Sequence, residues 1–218
     1  FNNVAYNGEI TVSSAFGVGR CDLEYQFDSQ YYNATTKTIL NQRTRDIDIL
    51  QNNGNAILFN DPLLDQESPP TTDVSLNSIQ LDKTKSQYVL VDGFQTHDDT
   101  ETGLTFAIWF KASSQNSRIF DFGNGPEMDS IVVYIDSSGI NFAISTVTGY
   151  IDNLIPISNV IDDTWHHLIW IMKDNTSSIY IDGSLHSSFP MEPPTSAYRS
   201  NNYLGKSNGD DPYYDGFF

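Results

Sequence analysis

The chain has 218 residues, of which 39% are hydrophobic and 13% aromatic, enough for the core of one all-β domain or of two small ones. It contains 11 Lys and Arg residues and 28 Asp and Glu residues, which gives a formal net charge of −17. A field of this sign repels phosphate backbones and anionic headgroups, so we expect no nucleic acid as a partner. No apolar run approaches about 18 residues, so we expect no membrane insertion.

The first half of the chain predicts short strands separated by polar loops. Residues 1–21 are interpreted as a lead-in segment from whatever precedes the domain, with a candidate strand at residues 10–12. Residues 61–73 contain three prolines and predict a loop, because proline fixes φ and lacks a backbone donor. Short runs of β-forming residues predict strands at residues 23–27, 56–59, 78–81 and 87–91.

The second half shows clearer alternation of apolar and polar residues. Residues 104–111 alternate and predict a single strand, and residues 136–139 predict a hairpin loop between two apolar runs. Residues 165–174 are aromatic and β-branched and too short for a typical helix, so they predict a strand inside a sheet. The dipeptide Asp182–Gly183 supplies the positive φ angles that a tight hairpin needs.

The spacing of these runs indicates an all-β fold. Strands recur about every ten residues with turn residues between them, which is typical of a sandwich or barrel of antiparallel strands. No window of about a dozen residues holds a helical period. Large aromatic side chains must hold such a sandwich together, and we expect Trp109 and Trp170 to be structural.

Six segments of the chain follow one another in a characteristic order. They are Gln-Tyr-Val at 87–89, Leu-Thr-Phe-Ala-Ile-Trp-Phe-Lys at 104–111, Arg-Ile-Phe-Asp-Phe-Gly at 118–123, Trp-His-His-Leu at 165–168, Ile-Tyr-Ile-Asp-Gly at 179–183 and Tyr-Leu-Gly-Lys at 203–206. Together they resemble the successive strands of a laminin G-like domain of the concanavalin A-like superfamily. The resemblance covers residues 22–218.

The resemblance implies a jelly-roll sandwich of two packed antiparallel sheets. Such domains are usually extracellular and mostly bind glycans or proteins, often as modules of larger chains. The family normally continues after a motif like residues 214–217 into a final strand, whereas this chain ends at Phe218. We therefore expect the final strand of the domain to be missing, cleaved or supplied by another chain.

The resemblance also implies a calcium site. Calcium prefers carboxylate and carbonyl oxygens on loops, and an acidic chain attracts cations. In calcium-binding members of the family an Asp precedes a strand similar to residues 130–134, and Asp129 matches it. A second Asp comes from a late loop, where Asp210 or Asp211 matches by order alone. The alternative is that these are exposed turn aspartates and that the acidity only keeps the protein soluble.

Catalysis is considered because the same superfamily contains glucanases. Retaining glycoside hydrolysis needs two carboxylates about 5–5.5 Å apart, which related glucanases place on one strand. Glu127 and Asp129 come near this pattern, but the third position falls on Ile131 or Val132, which are apolar. We therefore expect no enzyme, with a glycoside hydrolase as the less favoured alternative. His167 is interpreted as a hydrogen-bonded histidine near the core.

Two sequons occur in predicted loops. Asn33 begins Asn-Ala-Thr, and Asn175 begins Asn-Thr-Ser in the polar turn that follows Lys173. Either asparagine is a candidate for N-glycosylation, and the position of Asn175 in a turn favours it over Asn33.

Two classes of function remain. The first is a non-catalytic recognition or adhesion module that binds a glycan or protein ligand at loops on the sandwich rim, outside a cell or on the surface of a cell or virus particle. The second is a structural protein of a surface layer, such as a virion capsid or fibre, whose partners are other chains of that assembly. A glycan array distinguishes them, because only the first class should bind sugars.

Overall fold

The computed structural model describes residues 9–14, 23–27, 30, 32–40, 56–64, 67–70, 77–96, 103–146, 148–156 and 160–218. Within them the chain forms β-strands and a short 3-10 helix, Lys83–Lys85, and every strand pair is antiparallel. The predicted all-β sandwich of two antiparallel sheets is confirmed. Among the described residues, no helix is long and apolar enough to cross a bilayer.

The strands follow one another at short intervals. In chain order they are β1 (Glu9–Ser14), β2 (Leu23–Gln26), β3 (Tyr32–Asn33), β4 (Thr38–Ile39), β5 (Ala56–Phe59), β6 (Gln80–Leu81), β7 (Tyr88–Val91), β8 (Phe94–Gln95), β9 (Leu104–Ala112), β10 (Ser117–Gly123), β11 (Ile131–Asp136), β12 (Gly139–Thr146), β13 (Gly149–Ile155), β14 (His166–Lys173), β15 (Thr176–Ile181), β16 (Ser184–Pro190), β17 (Tyr198–Arg199), β18 (Asn201–Leu204) and β19 (Gly216–Phe217). The strands predicted in the second half therefore form where the alternation placed them.

Two large sheets account for most of these strands. The eight-stranded sheet has the order β16-β15-β14-β9-β1-β2, and β19 pairs with both β9 and β6 beside it. The nine-stranded sheet has the order β13-β12-β11-β10-β18-β7-β5-β4-β3. A separate two-stranded ladder joins β8 to β17. Strands distant in sequence thus become neighbours, most notably β10, β18 and β7.

Trp170 lies at the centre of the core between the two sheets. Its side chain is 0% exposed, and its ring centroid is 5.8 Å from Phe106, 6.5 Å from Phe120 and 5.2 Å from Phe142. Its indole N–H donates to the Ser177 hydroxyl at 2.6 Å, so the one polar atom of the ring is satisfied. Trp170 therefore packs against aromatic side chains of both sheets, as expected.

Trp109 lies on the opposite face of the eight-stranded sheet. Its ring packs on His167 across the β9–β14 pair, with the ring centroids 4.7 Å apart. His167 is only 4% exposed, and its backbone N–H donates to the Asp182 carboxylate at 2.8 Å. Burial lowers the pKa of the His167 imidazole to about 4, although the nearby Asp182 charge acts in the other direction. His167 is therefore buried, as the sequence indicated.

The predicted hairpin between β15 and β16 is confirmed in its backbone angles. Asp182 has φ of 49° and Gly183 has φ of 79°, the left-handed region that a tight two-residue turn requires. The turn between β14 and β15 uses the same region at Asp174 and Asn175, with φ of 52° and 54°. Both turns keep β14, β15 and β16 adjacent in one sheet.

Strands near both ends of the chain pair with β9. Of the predicted lead-in segment the structure describes β1, which pairs with β9 and β2; residues 1–8 and 15–21 lie outside the described residues. At the other end, Gly216 pairs with Ala112 on β9 and with Leu81 on β6. Tyr214 and Phe218 are buried and stack with ring centroids 4.4 Å apart. The expectation that a final strand is missing remains a prediction.

Candidate functional site

Aromatic side chains gather on the outer face of the nine-stranded sheet. In β7 and β18 every second residue is buried, namely Val89, Val91, Asn202 and Leu204, so the alternate positions point outward. Register places Tyr203 opposite Leu90, Tyr88 opposite Phe59, and Tyr134 opposite Arg118. We call this surface the tyrosine face; its members are Phe59, Tyr88, Arg118, Tyr134, Tyr203, Lys206 and Tyr213, all of which are partly exposed.

The rings at one end of the tyrosine face support one another. Tyr88 stacks on Phe59 with centroids 4.5 Å apart and an interplanar angle of 5°. It meets Tyr203 edge to face at 5.6 Å and approaches Tyr213 at 6.1 Å. Burial raises the pKa of the Tyr88 and Tyr203 hydroxyls, so both remain neutral hydrogen-bonding groups near neutral pH.

Lys206 reaches the tyrosine face because the chain turns sharply after β18. Gly205 has φ of +74°, and an added Cβ would lie 2.4 Å from Leu81, so the turn favours glycine at this position. The Lys206 ammonium then lies 4.2 Å from the ring centroid of Tyr203 and 4.8 Å from that of Tyr88. Both distances lie within cation–π range.

Arg118 occupies the middle of the same face. Its guanidinium lies 4.5 Å from the ring centroid of Tyr134 and donates to the Asp211 carboxylate at 2.6 Å. The Tyr134 hydroxyl donates to Asp152 at 2.7 Å. Burial and this hydrogen bond raise the pKa of Tyr134 well above its usual range, so its hydroxyl remains a neutral donor. Charged groups therefore flank the rings on both sides.

A buried carboxylate fixes the loop that follows Lys206. Asp121 is 5% exposed and accepts hydrogen bonds from the Asn208 backbone N–H at 2.9 Å, the Asn208 side chain at 2.8 Å and the Ser207 hydroxyl at 3.3 Å. The Ser207 hydroxyl also reaches the Asp211 carboxylate at 2.7 Å. The loop is thus tied to β10, and Lys206 is held between two anchored elements.

The residues expected to bind calcium have other partners. The Asp129 carboxylate accepts from the Asn124 side chain at 2.9 Å and from the Thr195 hydroxyl at 3.3 Å. Asp211 pairs with Arg118 instead, and Asp210 is exposed. Within the described ranges, no group of three or more His, Cys, Asp or Glu side chains is placed to hold a metal ion. Calcium at Asp129, Asp210 and Asp211 stays a prediction.

A buried arginine organises the rim beside Asp129. Arg199 is 0% exposed and donates from Nε to the Asp129 carbonyl at 2.5 Å, from Nη2 to the Thr195 carbonyl at 3.3 Å, and from Nη1 to Thr96. Burial lowers the pKa of its guanidinium to about 10. Sequence reasoning missed this residue, because two of its partners, Asp129 and Thr96, lie in segments distant in the chain.

The two sequon asparagines are both exposed. The Asn33 side chain accepts hydrogen bonds from the backbone N–H groups of Thr35 and Thr36 at 3.0 and 3.2 Å. Asn175 lies in the tight turn between β14 and β15. Both side chains lie at the protein surface, and glycosylation at either position remains a prediction.

The chain resembles known proteins in sequence and in fold. A laminin G-like family model, described as concanavalin A-like lectin/glucanases superfamily, matches residues 82–218. None of the curated proteins matches the chain. Domain 4 of AbnA, an extracellular GH43 arabinanase from Geobacillus stearothermophilus in complex with arabinotriose, is 12% identical with a TM-score of 0.55, covering 96% of this chain and 90% of that one.

Two toxin structures share the fold as well. Botulinum neurotoxin type C, whose cell entry depends on interaction with two ganglioside molecules, is 12% identical with a TM-score of 0.53, covering 89% of this chain and 46% of that one. The receptor-binding domain of botulinum neurotoxin mosaic serotype C/D is 13% identical with a TM-score of 0.52, covering 76% and 42%. The chain thus spans less than half of either toxin chain. With the family model matching most of its length, the chain belongs to the laminin G-like branch of the concanavalin A-like lectin/glucanase superfamily.

Proposed function

We propose that this domain is a non-catalytic glycan-recognition module and that the tyrosine face is its binding surface. The observation that carries the proposal is the cluster of partly exposed rings on the outside of the nine-stranded sheet, flanked by Arg118 and Lys206. Sugars present an apolar C–H face and a ring of hydroxyl groups. Aromatic rings bury the first and adjacent charged groups bind the second.

The rigidity of this surface supports recognition. The ring of Tyr88 contacts those of Phe59 and Tyr203, and the loop beside them is anchored on Asp121. A preformed surface pays little ordering entropy when a ligand binds, which favours binding by a few well-placed groups. The tyrosine face therefore suits a ligand with alternating apolar and polar edges.

The similar structures named above suggest the first ligands to test. One is a domain in complex with arabinotriose, and another belongs to a toxin that interacts with gangliosides. Because identity to both is low, these names select probes and do not identify the ligand of this chain. A domain of this kind acts outside the cell or at a surface, where glycans are displayed.

The absence of catalysis is part of the proposal. Glu127 lies in a turn with φ of 57° and Asp129 follows with φ of 55°, so neither belongs to a strand that would aim alternate carboxylates into one cleft. The carboxylate beside the tyrosine face, Asp211, is paired with Arg118. We expect no release of reducing ends from arabinan or β-glucans.

A glycan array followed by calorimetry tests the proposal. We expect binding of at least one glycan and loss of that binding in Tyr88→Ala and Tyr203→Ala. The matched control is Tyr180→Ala, which removes a half-buried tyrosine from the eight-stranded sheet. An array without any bound glycan, or binding that the two tyrosine variants leave unchanged, contradicts the proposal. In that case, a stable oligomer in light scattering would favour the assembly role.

A further inference from the structure

We infer that the ligand of the tyrosine face carries a single carboxylate, as an acidic sugar does, and that Lys206 binds it. This inference rests on the proposed function and adds the chemical class of the ligand. It assigns Lys206 the role of a specificity determinant beside the aromatic contacts. The geometry, the distribution of charge on the face and the charge of the whole protein each support it.

The geometry holds an ammonium group at a fixed place above two rings. Gly205 turns the chain so that Lys206 returns over Tyr88 and Tyr203, and Ser207 and Asn208 behind it are bonded to the buried Asp121. A lysine whose neighbours in the chain are fixed and whose ammonium lies over two rings has fewer rotamers to lose on binding. Its ammonium is therefore ready to meet an anion that approaches the rings.

Lys206 differs from Arg118 in its partners. Arg118 donates to Asp211 at 2.6 Å and lies 3.9 Å from Asp121, so its charge is already balanced. Lys206 takes part in none of the salt bridges that the described residues form. Among the residues that the structure describes, Lys206 therefore has no carboxylate partner, although the protein contains 28 acidic residues.

The number and the sign of charges limit the ligand to one carboxylate. Among the described residues, the tyrosine face offers one cation without a carboxylate partner, and the whole chain carries a formal net charge of −17. A polyanion such as a sulfated polysaccharide could place one anionic group on Lys206, but the negative field of the protein would repel its other anionic groups. A sugar with one carboxyl group gains the contact with Lys206 and suffers little repulsion.

Paired oligosaccharides test the inference. The probes are the acidic oligosaccharides of a glycan array, each beside the same molecule with its carboxyl reduced to an alcohol, and heparin as a polyanion. The variants are Lys206→Met, which keeps an unbranched side chain without the charge, and Lys206→Arg, which keeps the charge. Lys173→Met on the eight-stranded sheet is the matched control, since it removes one exposed positive charge elsewhere.

We expect the wild-type protein to bind an acidic member about tenfold more tightly than its reduced counterpart. Lys206→Met should remove this difference and its dependence on salt, whereas Lys206→Arg and Lys173→Met should retain it. Equal binding of both members, lost only in Tyr203→Ala, overturns the inference and leaves the proposed function standing. Binding of heparin above every singly charged glycan also overturns it. Absence of glycan binding altogether refutes the proposed function itself.

Discussion

At the scale of single residues, Trp170 is the largest fully buried side chain among the described residues. Its ring is fully buried against aromatic residues of both sheets and its N–H is bonded to Ser177. We expect Trp170→Ala to lower the free energy of unfolding by about 3–5 kcal/mol, because it leaves a cavity and an unpaired hydroxyl. Chemical denaturation followed by circular dichroism measures this loss.

Trp109→Ala provides the comparison for Trp170. Trp109 is half-buried on the outer face of the eight-stranded sheet, where its ring contacts His167. Neighbouring side chains and water can fill part of the space that it leaves, so we expect a smaller loss than at Trp170. Equal losses for the two variants would show that Trp170 is not the central core residue.

His167 gives the stability of the protein a dependence on pH. Its pKa is lowered to about 4 in the folded protein by burial, compared with 6.5 for an unperturbed histidine, so the unfolded chain binds the proton more readily. The neutral histidine therefore supports the fold above pH 6.5, and its contribution, on the order of 3 kcal/mol, is lost as pH falls towards 4.

Thermal melts between pH 7 and about 4 in wild type and His167→Asn measure this contribution. We expect a shallower decrease of Tm in the variant, because one proton uptake on unfolding is removed. His186→Asn on β16, where the side chain is exposed, is the control and should keep the wild-type slope. Parallel curves for wild type and His167→Asn would contradict the assignment.

At the scale of elements, β19 depends on a glycine at its first residue. Gly216 has φ of +151°, and an added Cβ would lie 2.0 Å from the Lys111 carbonyl on the paired strand. We expect Gly216→Ala to cost about 3 kcal/mol, since the backbone of β9 or β19 has to move. Denaturation of the variant gives this value.

Gly149→Ala separates the clash at Gly216 from backbone strain alone. Gly149 has φ of +139°, but an added Cβ there meets no atom within 4 Å. Its substitution should therefore destabilise the protein less than Gly216→Ala. If the two variants melt together, the close approach of β19 to β9 is not what requires glycine.

The positions of the strands could be predicted from the sequence, whereas the pairing of each strand with its neighbours in the sheet could not. Alternation predicts β9, and the dipeptide Asp182–Gly183 predicts the turn after β15. Both signals are local properties of the sequence. The tyrosine face depends on β18 lying between β10 and β7, which no local pattern encodes. From the sequence, Tyr88, Tyr134 and Tyr203 could be recognised only as outward-facing positions next to buried aliphatic residues, and their position on one common surface could not be predicted.

At the scale of the whole molecule, the net charge of −17 opposes compaction. We expect the Tm to rise with sodium chloride, because salt screens the repulsion among surface carboxylates. Calcium chloride at the same ionic strength tests the predicted calcium site, since a bound ion adds stabilisation by mass action. An additional rise that Asp129→Asn removes would support that site, while equal shifts would indicate screening alone.

The pairing of β1 with β9 has a practical consequence for recombinant work. A fragment that starts at residue 22 would still include β14 and β19, but the backbone groups of β9 that face Thr11 and Ser13 would lose their partners. An open edge of this kind invites pairing with another copy and aggregation. Expression plasmids intended for crystallisation should therefore retain the amino-terminal segment, even though the family match begins only at residue 82.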